Sequence, residues 1–185
     1  MRVILLLNFL LISVYSYSRY EGVKYARENV HKINHICGTC SSCSPDSYWG
    51  NEHCGYTRNN GDSANFVSQC LVRGGKYPKL IGSSNCRGYP CGFEEIIAKR
   101  LGLCLKERGW TRTCGYLQNP PSNIKEGDVL IYHADSCESS DAHAVYITQG
   151  GSNPKITCHS NELLDVLYTY MEASKPYYEW LHYND

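Results

Sequence analysis

The sequence predicts an α+β fold in which N-terminal helices pack against a small antiparallel sheet and disulfides brace the loops. Three observations predict it: apolar residues at helical spacing in the N-terminal half, short β-prone runs from Asn123 onward, and eleven cysteines among 185 residues. Helices first and strands after is the order typical of α+β domains. A chain of this size normally forms one domain around one core.

The N-terminal segment has the features of a secretory signal peptide. A positively charged start is followed by an apolar run from Val3 to Val14 and then by the small residues Ser16 and Ser18. We expect residues 1–18 to be a signal peptide cut after Ser18 and residues 19–185 to be a single secreted domain. A transmembrane anchor is the alternative, but the run is short for a bilayer span. The destination is the extracellular space or the lumen of a secretory or lytic compartment.

The cysteine count agrees with an oxidising destination, where cysteines pair into disulfides. Because eleven is odd, five disulfides and one thiol are the simplest account, with Cys70 as the thiol since it lies on the apolar face of a predicted helix. The close spacing of Cys37, Cys40 and Cys43, with Cys54 beyond, is also compatible with zinc. Disulfides are the better interpretation in a secreted chain, and we expect no metal and no cofactor.

Charge and hydropathy exclude some partners. The formal net charge is zero with both signs interspersed, which gives no electrostatic basis for holding nucleic acid or an anionic membrane. Once the leader is removed, no apolar stretch approaches the length of a membrane span. We expect a soluble monomer whose partner binds at a specific site.

Apolar periodicity predicts three helices in the N-terminal half. The first spans Tyr20 to about Ile33, and a cysteine-rich loop over residues 36–61 follows it. The second begins at Asp62, which places Ser63 on its first turn, and ends at Gly74-Gly75. The third covers residues 93–108 and is expected to divide at Gly102.

The C-terminal half predicts a meander of three strands. The β-prone runs lie within residues 129–132, 142–148 and 155–159, separated by turn residues and short polar loops. The tail over residues 177–183 is a candidate for a further strand.

Three residues are placed to carry acyl-transfer chemistry. Such a site needs a nucleophile at a helix start, a histidine that takes its proton, and a third polar group that orients the histidine. Ser63 lies at a helix start, while His143 and His159 lie on successive predicted strands. Side-chain alternation is expected to put both histidines on the face toward the second helix. Each also has a structural alternative, as a helix cap or as a buried strand residue.

Several segments of the chain match a known sequence pattern. They are Gly61 to Leu71 with Gly74-Gly75, Tyr20 to Ala26, Lys125 to Tyr132, the strand after His143, and His159-Ser160. Together they resemble the putative amidase domain family, a branch of the NlpC-like, papain-fold cell-wall amidases and peptidases. The resemblance spans nearly all of the mature chain, and the cysteine-rich segments 36–58 and 83–92 look like insertions. The resemblance implies a papain-like, NlpC-type fold.

The family's residues carry over position by position. Its nucleophilic cysteine falls on Ser63, its general-base histidine on His143 and its third polar residue on His159. Asp62 falls where relatives contact a substrate amine, although a helix cap is an equal alternative. Serine departs from the family pattern, and an alcohol, unlike a thiol, does not ionise beside an imidazolium. The resemblance thus implies a hydrolase acting on amide bonds of peptides or peptidoglycan fragments, with weak or lost catalysis.

Two other functions remain open from the sequence. A non-catalytic module on the same fold would bind peptide or glycan, and the sixteen tyrosines offer amphipathic surfaces for that purpose. A structural secreted protein would use the fold only as a disulfide-braced scaffold.

Overall fold

The computed structural model describes residues 16–32, 63–86, 97–159, 162–171 and 175–185. The predicted leader therefore lies outside the described residues up to position 15. Asp62 lies outside them as well. So do the cysteines at 37, 40, 43, 54 and 91, and with them the zinc alternative.

Three helices are present in the described residues. Helix α1 spans Arg19–Asn29 and is capped by Ser18, whose Oγ accepts the Glu21 N–H at 3.3 Å. Helix α2 spans Ser63–Gln69 and continues as a π-helical turn over Cys70–Gly74. Helix α3 spans Ala98–Glu107. The first two helices and the stop at the glycine pair are confirmed.

The third helix is not divided. Ile97 has extended backbone angles, so α3 begins at Ala98, and residues 93–96 of the predicted helix lie outside the described residues. The helix runs through Gly102 without a break. A Cβ at Gly102 would lie 2.7 Å from Oε1 of Glu179, so glycine is required there by the close approach of a strand side chain.

A six-stranded antiparallel sheet forms the second layer. Its strands are β1 Thr111–Tyr116, β2 Val129–His133, β3 Ala142–Gln149, β4 Lys155–Cys158, β5 Leu163–Leu167 and β6 Tyr177–His182. Across the sheet the order is β1-β6-β2-β3-β4-β5, so β2 to β5 form a meander and the last strand lies between β1 and β2. The predicted meander and the C-terminal strand are confirmed, while β1 and β5 were not predicted.

Both faces of the sheet are covered. On one face the helices bury a cluster that includes Phe66 of α2 and Ala144 and Tyr146 of β3. On the other face, Val145 and Tyr132 pack in a second cluster with Trp180 and with residues of β5 and the turn after it. The observed architecture is therefore α+β, with helices on one side and irregular chain on the other.

The carboxylate of Asp128 joins three distant parts of the chain. It is fully buried, and Arg19 at the start of α1 contacts its Oδ1 at 2.6 Å. His182 at the end of β6 donates from Nδ1 to Oδ2 at 2.7 Å. The backbone N–H groups of Lys125 and Tyr183 donate to the same carboxylate at 2.9 and 3.1 Å. All four lone-pair directions are thus used by donors from the first helix, the turn before β2 and the C-terminal strand.

Two disulfides fall within the described residues, Cys86–Cys104 and Cys114–Cys137. Cys70 is a buried thiol, as expected, but Cys158 is a buried thiol too. Of eleven cysteines, these two thiols leave nine, which can form at most four disulfides. The expectation of five disulfides is therefore wrong. Cys158, at the end of the strand over residues 155–158, lies in the apolar cluster on the far face of the sheet.

No helix among the described segments is long and apolar enough to cross a membrane.

We predict that replacing one carboxylate oxygen of Asp128 by nitrogen, in Asp128→Asn, strongly destabilises the protein. In Asp128→Asn an amide N–H₂ faces N–H donors, and a buried cation loses its counter-charge. We expect the free energy of unfolding to fall by about 3 to 5 kcal/mol, the range for breaking a buried ion pair. Denaturant titration measures it. Asp141→Asn is the control, since that carboxylate is 71% exposed and pairs only at the surface with Lys175; a similar loss in both variants would contradict the prediction.

The contact between α1 and β3 predicts that alanine is harmful at Gly22. A Cβ there would overlap the Tyr146 hydroxyl and lie 3.2 Å from the Cys70 carbonyl oxygen. Alanine normally stabilises a helix relative to glycine, but overpacking here should cost about 1 to 3 kcal/mol. Lys24→Ala, on the exposed side of α1, serves as the control. Thermal unfolding of both variants measures the effect, and an unchanged or raised midpoint for Gly22→Ala would refute the close contact.

Candidate functional site

Ser63 is held against strand β3 at the first residue of α2. Its Oγ accepts the backbone N–H of Ala144 at 3.2 Å, and the residue is 3% exposed. The hydroxyl thus lies next to the peptide unit that joins His143 to Ala144. The structure brings the predicted nucleophile to the predicted histidine strand, through a backbone contact.

His159 packs against the helix that carries Ser63. Its ring stacks on Phe66, one turn after Ser63, with a centroid distance of 5.7 Å and an interplanar angle of 21°. Its Nε2 donates to the carbonyl oxygen of Lys32, just after α1. The imidazole is 2% exposed. His159 therefore lies on the helix face of the sheet, between the ends of α1 and α2.

His143 lies on the opposite face. In the register of β2 and β3 it pairs with Tyr132, and paired residues of an antiparallel ladder share a face. Tyr132 and Val145, two residues along β3, both belong to the cluster away from the helices. Ala142 instead packs against the helix-side core. His143 is 8% exposed, and the alternation along β3 directs its Cα–Cβ bond to the face away from α2.

The alternation along β3 thus places the two histidines on different faces, contrary to the expectation that both face α2. The β3–β4 pairing ends at Tyr146 with Thr157, and the same register continued would set Ala144, not His143, opposite His159. A register offset of one residue turns a side chain to the other face. Of the two histidines, His159 lies on the sheet face that α2 covers. The catalytic roles of Ser63, His143 and His159 stay predictions.

A buried ionic cluster lies on the helix face beside the start of β3. Glu179 accepts from Nε of Arg112 at 2.5 Å and from Nε2 of His133 at 2.6 Å. His133 also donates from Nδ1 to the carbonyl oxygen of Ser139 at 3.1 Å. Both ring nitrogens of His133 thus face oxygen atoms. His133 pairs with Ala142, the residue before His143.

Sequence reasoning did not identify this cluster. A charged residue within the apolar run Tyr177-Tyr178-Glu179-Trp180-Leu181 was the available signal, because a buried carboxylate requires cationic or hydrogen-bonding partners.

A cavity of about 220 Å³ opens between α3 and the loop that leads into β3. Two cationic side chains line it, Lys99 and Arg100. Its apolar walls are Ile97 and Leu103, and Ser140 lies on the side of the loop. Lys99 also contacts Glu138 at 3.7 Å. The cavity therefore has the chemistry for a ligand with a carboxylate and an apolar part. No cluster of metal-ligating side chains is present in the described residues.

A family model described as a putative amidase domain matches residues 16–181 of the chain. No curated protein and no solved structure matches the chain.

Cys70 is excluded as an alternative nucleophile by its surroundings. It is fully buried between α1 and β3, and burial raises the pKa of its thiol well above the ordinary value. Thiolate is the reactive form, so the folded protein should react slowly with iodoacetamide at Cys70 even at pH 9. Peptide mapping by mass spectrometry should show the label there only after denaturation. Native labelling as fast as that of an exposed thiol would contradict the assigned burial.

Proposed function

Because the chain belongs to the putative amidase domain family, we propose that it is a secreted protein that engages amide bonds of peptides, in particular bacterial cell-wall peptides, with weak or lost catalysis. The observation that supports weak or lost catalysis is the environment of the Ser63 hydroxyl. Its Oγ accepts a backbone N–H and the residue is 3% exposed, while strand alternation directs the Cα–Cβ bond of the general-base candidate His143 to the sheet face away from the helices. A serine hydroxyl attacks only when a base takes its proton, and that arrangement does not favour the transfer.

The substrate class is supported by the cavity beside α3. Cell-wall stem peptides carry free carboxylates and short apolar side chains. The pair Lys99 and Arg100, set among Ile97 and Leu103, complements both features. Asp62 precedes Ser63 in the chain, and we propose, from the resemblance alone, that it contacts a substrate amine. The expectations of a papain-like fold and of a monomer that binds neither nucleic acid nor membrane stay predictions.

A second candidate is a serine-dependent amidase in which His159 acts as the base. The observation that favours it is the stacking of His159 on Phe66, which puts an imidazole against the helix of Ser63. In this alternative His143 has only a structural role. The two candidates differ in one measurable quantity, the release of amines.

The test combines binding and hydrolysis on the same material. Purified, oxidised protein is mixed with insoluble peptidoglycan, and both the bound fraction and the released amines are measured. We expect binding without amine release in the natural protein. Ser63→Cys should raise the release rate by about 10²-fold or more if the base still reaches position 63, since a thiol ionises far more readily. Replacing both Lys99 and Arg100 by Gln should reduce binding, whereas Lys106→Gln, elsewhere on α3, should not.

The other outcomes separate the candidates. Amine release by the natural protein that is lost in Ser63→Ala and His159→Ala, but kept in His143→Ala, would establish the second candidate. Release that depends on His143 would instead restore the family's assignment of the base. If no variant binds peptidoglycan and none releases amines, both candidates are excluded and a structural role remains.

A further inference from the structure

Tyr17 is built into the core of the domain. Its side chain is 6% exposed, and its hydroxyl donates to the carbonyl oxygen of Gly127 at 2.6 Å while lying 2.5 Å from the Tyr146 hydroxyl. The ring packs edge-on against Tyr77 and Tyr183, with centroid distances of 5.6 and 5.1 Å. Tyr17 thus fills a site shared by the turn before β2, the middle of β3 and the C-terminal segment.

Ser18 is equally part of the fold. Its Oγ caps α1 by accepting the Glu21 N–H, and its own N–H donates to the carbonyl oxygen of Gly75 at 2.8 Å. These two bonds fix the start of α1 against the end of the helix that carries Ser63. Ser16, by contrast, is exposed.

The position of Tyr17 limits where a leader is removed. Signal peptidases require a small residue just before the bond they cut. Ser16 and Ser18 both meet that requirement, and Val14 is a compact residue two positions before Ser16. A cut after Ser18 would remove the buried ring, leave the Tyr146 hydroxyl and the Gly127 carbonyl without their partner, and uncap α1. A cut after Ser16 removes none of these contacts.

We infer that the leader is cut at the Ser16–Tyr17 bond, so that Tyr17 is the first residue of the mature protein. The reaction is a hydrolysis: water adds across the peptide bond, which leaves a carboxylate on Ser16 and an amine on Tyr17. The amine forms at the point where the chain reaches solvent. The match to the family model begins at residue 16 and so includes Tyr17 and Ser18. The inference rests on the proposed secretion and refines the boundary that small residues alone suggest.

The experiment is N-terminal sequencing of the full chain after expression in a eukaryotic secretory host. We expect the secreted protein to begin Tyr17-Ser18-Arg19. Two matched variants identify the bond. Ser18→Asp keeps an acceptor that caps the helix but places a charge where a cut after residue 18 needs a small side chain. Its product should still begin at Tyr17. Ser16→Asp should abolish the Tyr17 start.

Each contrary result overturns the inference in a distinguishable way. A secreted product that begins at Arg19, or a Ser18→Asp variant that retains its leader, would overturn the cut site but leave secretion in place. A natural protein that stays in the cell with its leader attached would overturn both the cut site and the proposed secretion.

Discussion

The buried carboxylate of Asp128 is the interaction on which the remaining architecture depends. It is the common acceptor for Arg19 at the start of α1 and for His182 at the end of β6. Because β6 lies between β1 and β2, its position determines where both of those strands pair. Arg19 also binds Asp185, and this contact lowers the pKa of the Asp185 carboxyl. The two ends of the described fold are thus joined through one guanidinium and one buried acid.

The sheet is covered on both faces, and this explains which predictions failed. Strands buried on both sides consist of continuous apolar runs, so alternation in the sequence does not indicate which side chains face the helices. His143 and His159 each stand in such a run, and their faces follow from distant partners: His143 pairs with Tyr132 of β2, while His159 stacks on Phe66 of α2. Register depends on the turn between the strands, where the pairing also shifts between Ile147 and Gln149.

The elements that could be predicted have local signals, and those that could not depend on distant partners. The apolar spacing of α1 and the pair Gly74-Gly75 are local signals, and both the first helix and the end of the second were predicted from them. Strand β1 has polar residues without alternation, and it forms because β6 pairs with it and a disulfide ties Cys114 to Cys137. For the site, the helix start at Ser63 was predictable. Its bond to Ala144 was not, because it joins residues 81 positions apart.

That bond gives serine a structural reason for its place in the site. A hydroxyl is a good acceptor for a backbone N–H, whereas a thiol is a weak one. A serine therefore anchors α2 to the β3 backbone more firmly than a cysteine at the same position would. Because α2 also carries Phe66, on which His159 stacks, the anchor keeps the helix face ordered whether or not the site cuts its ligand.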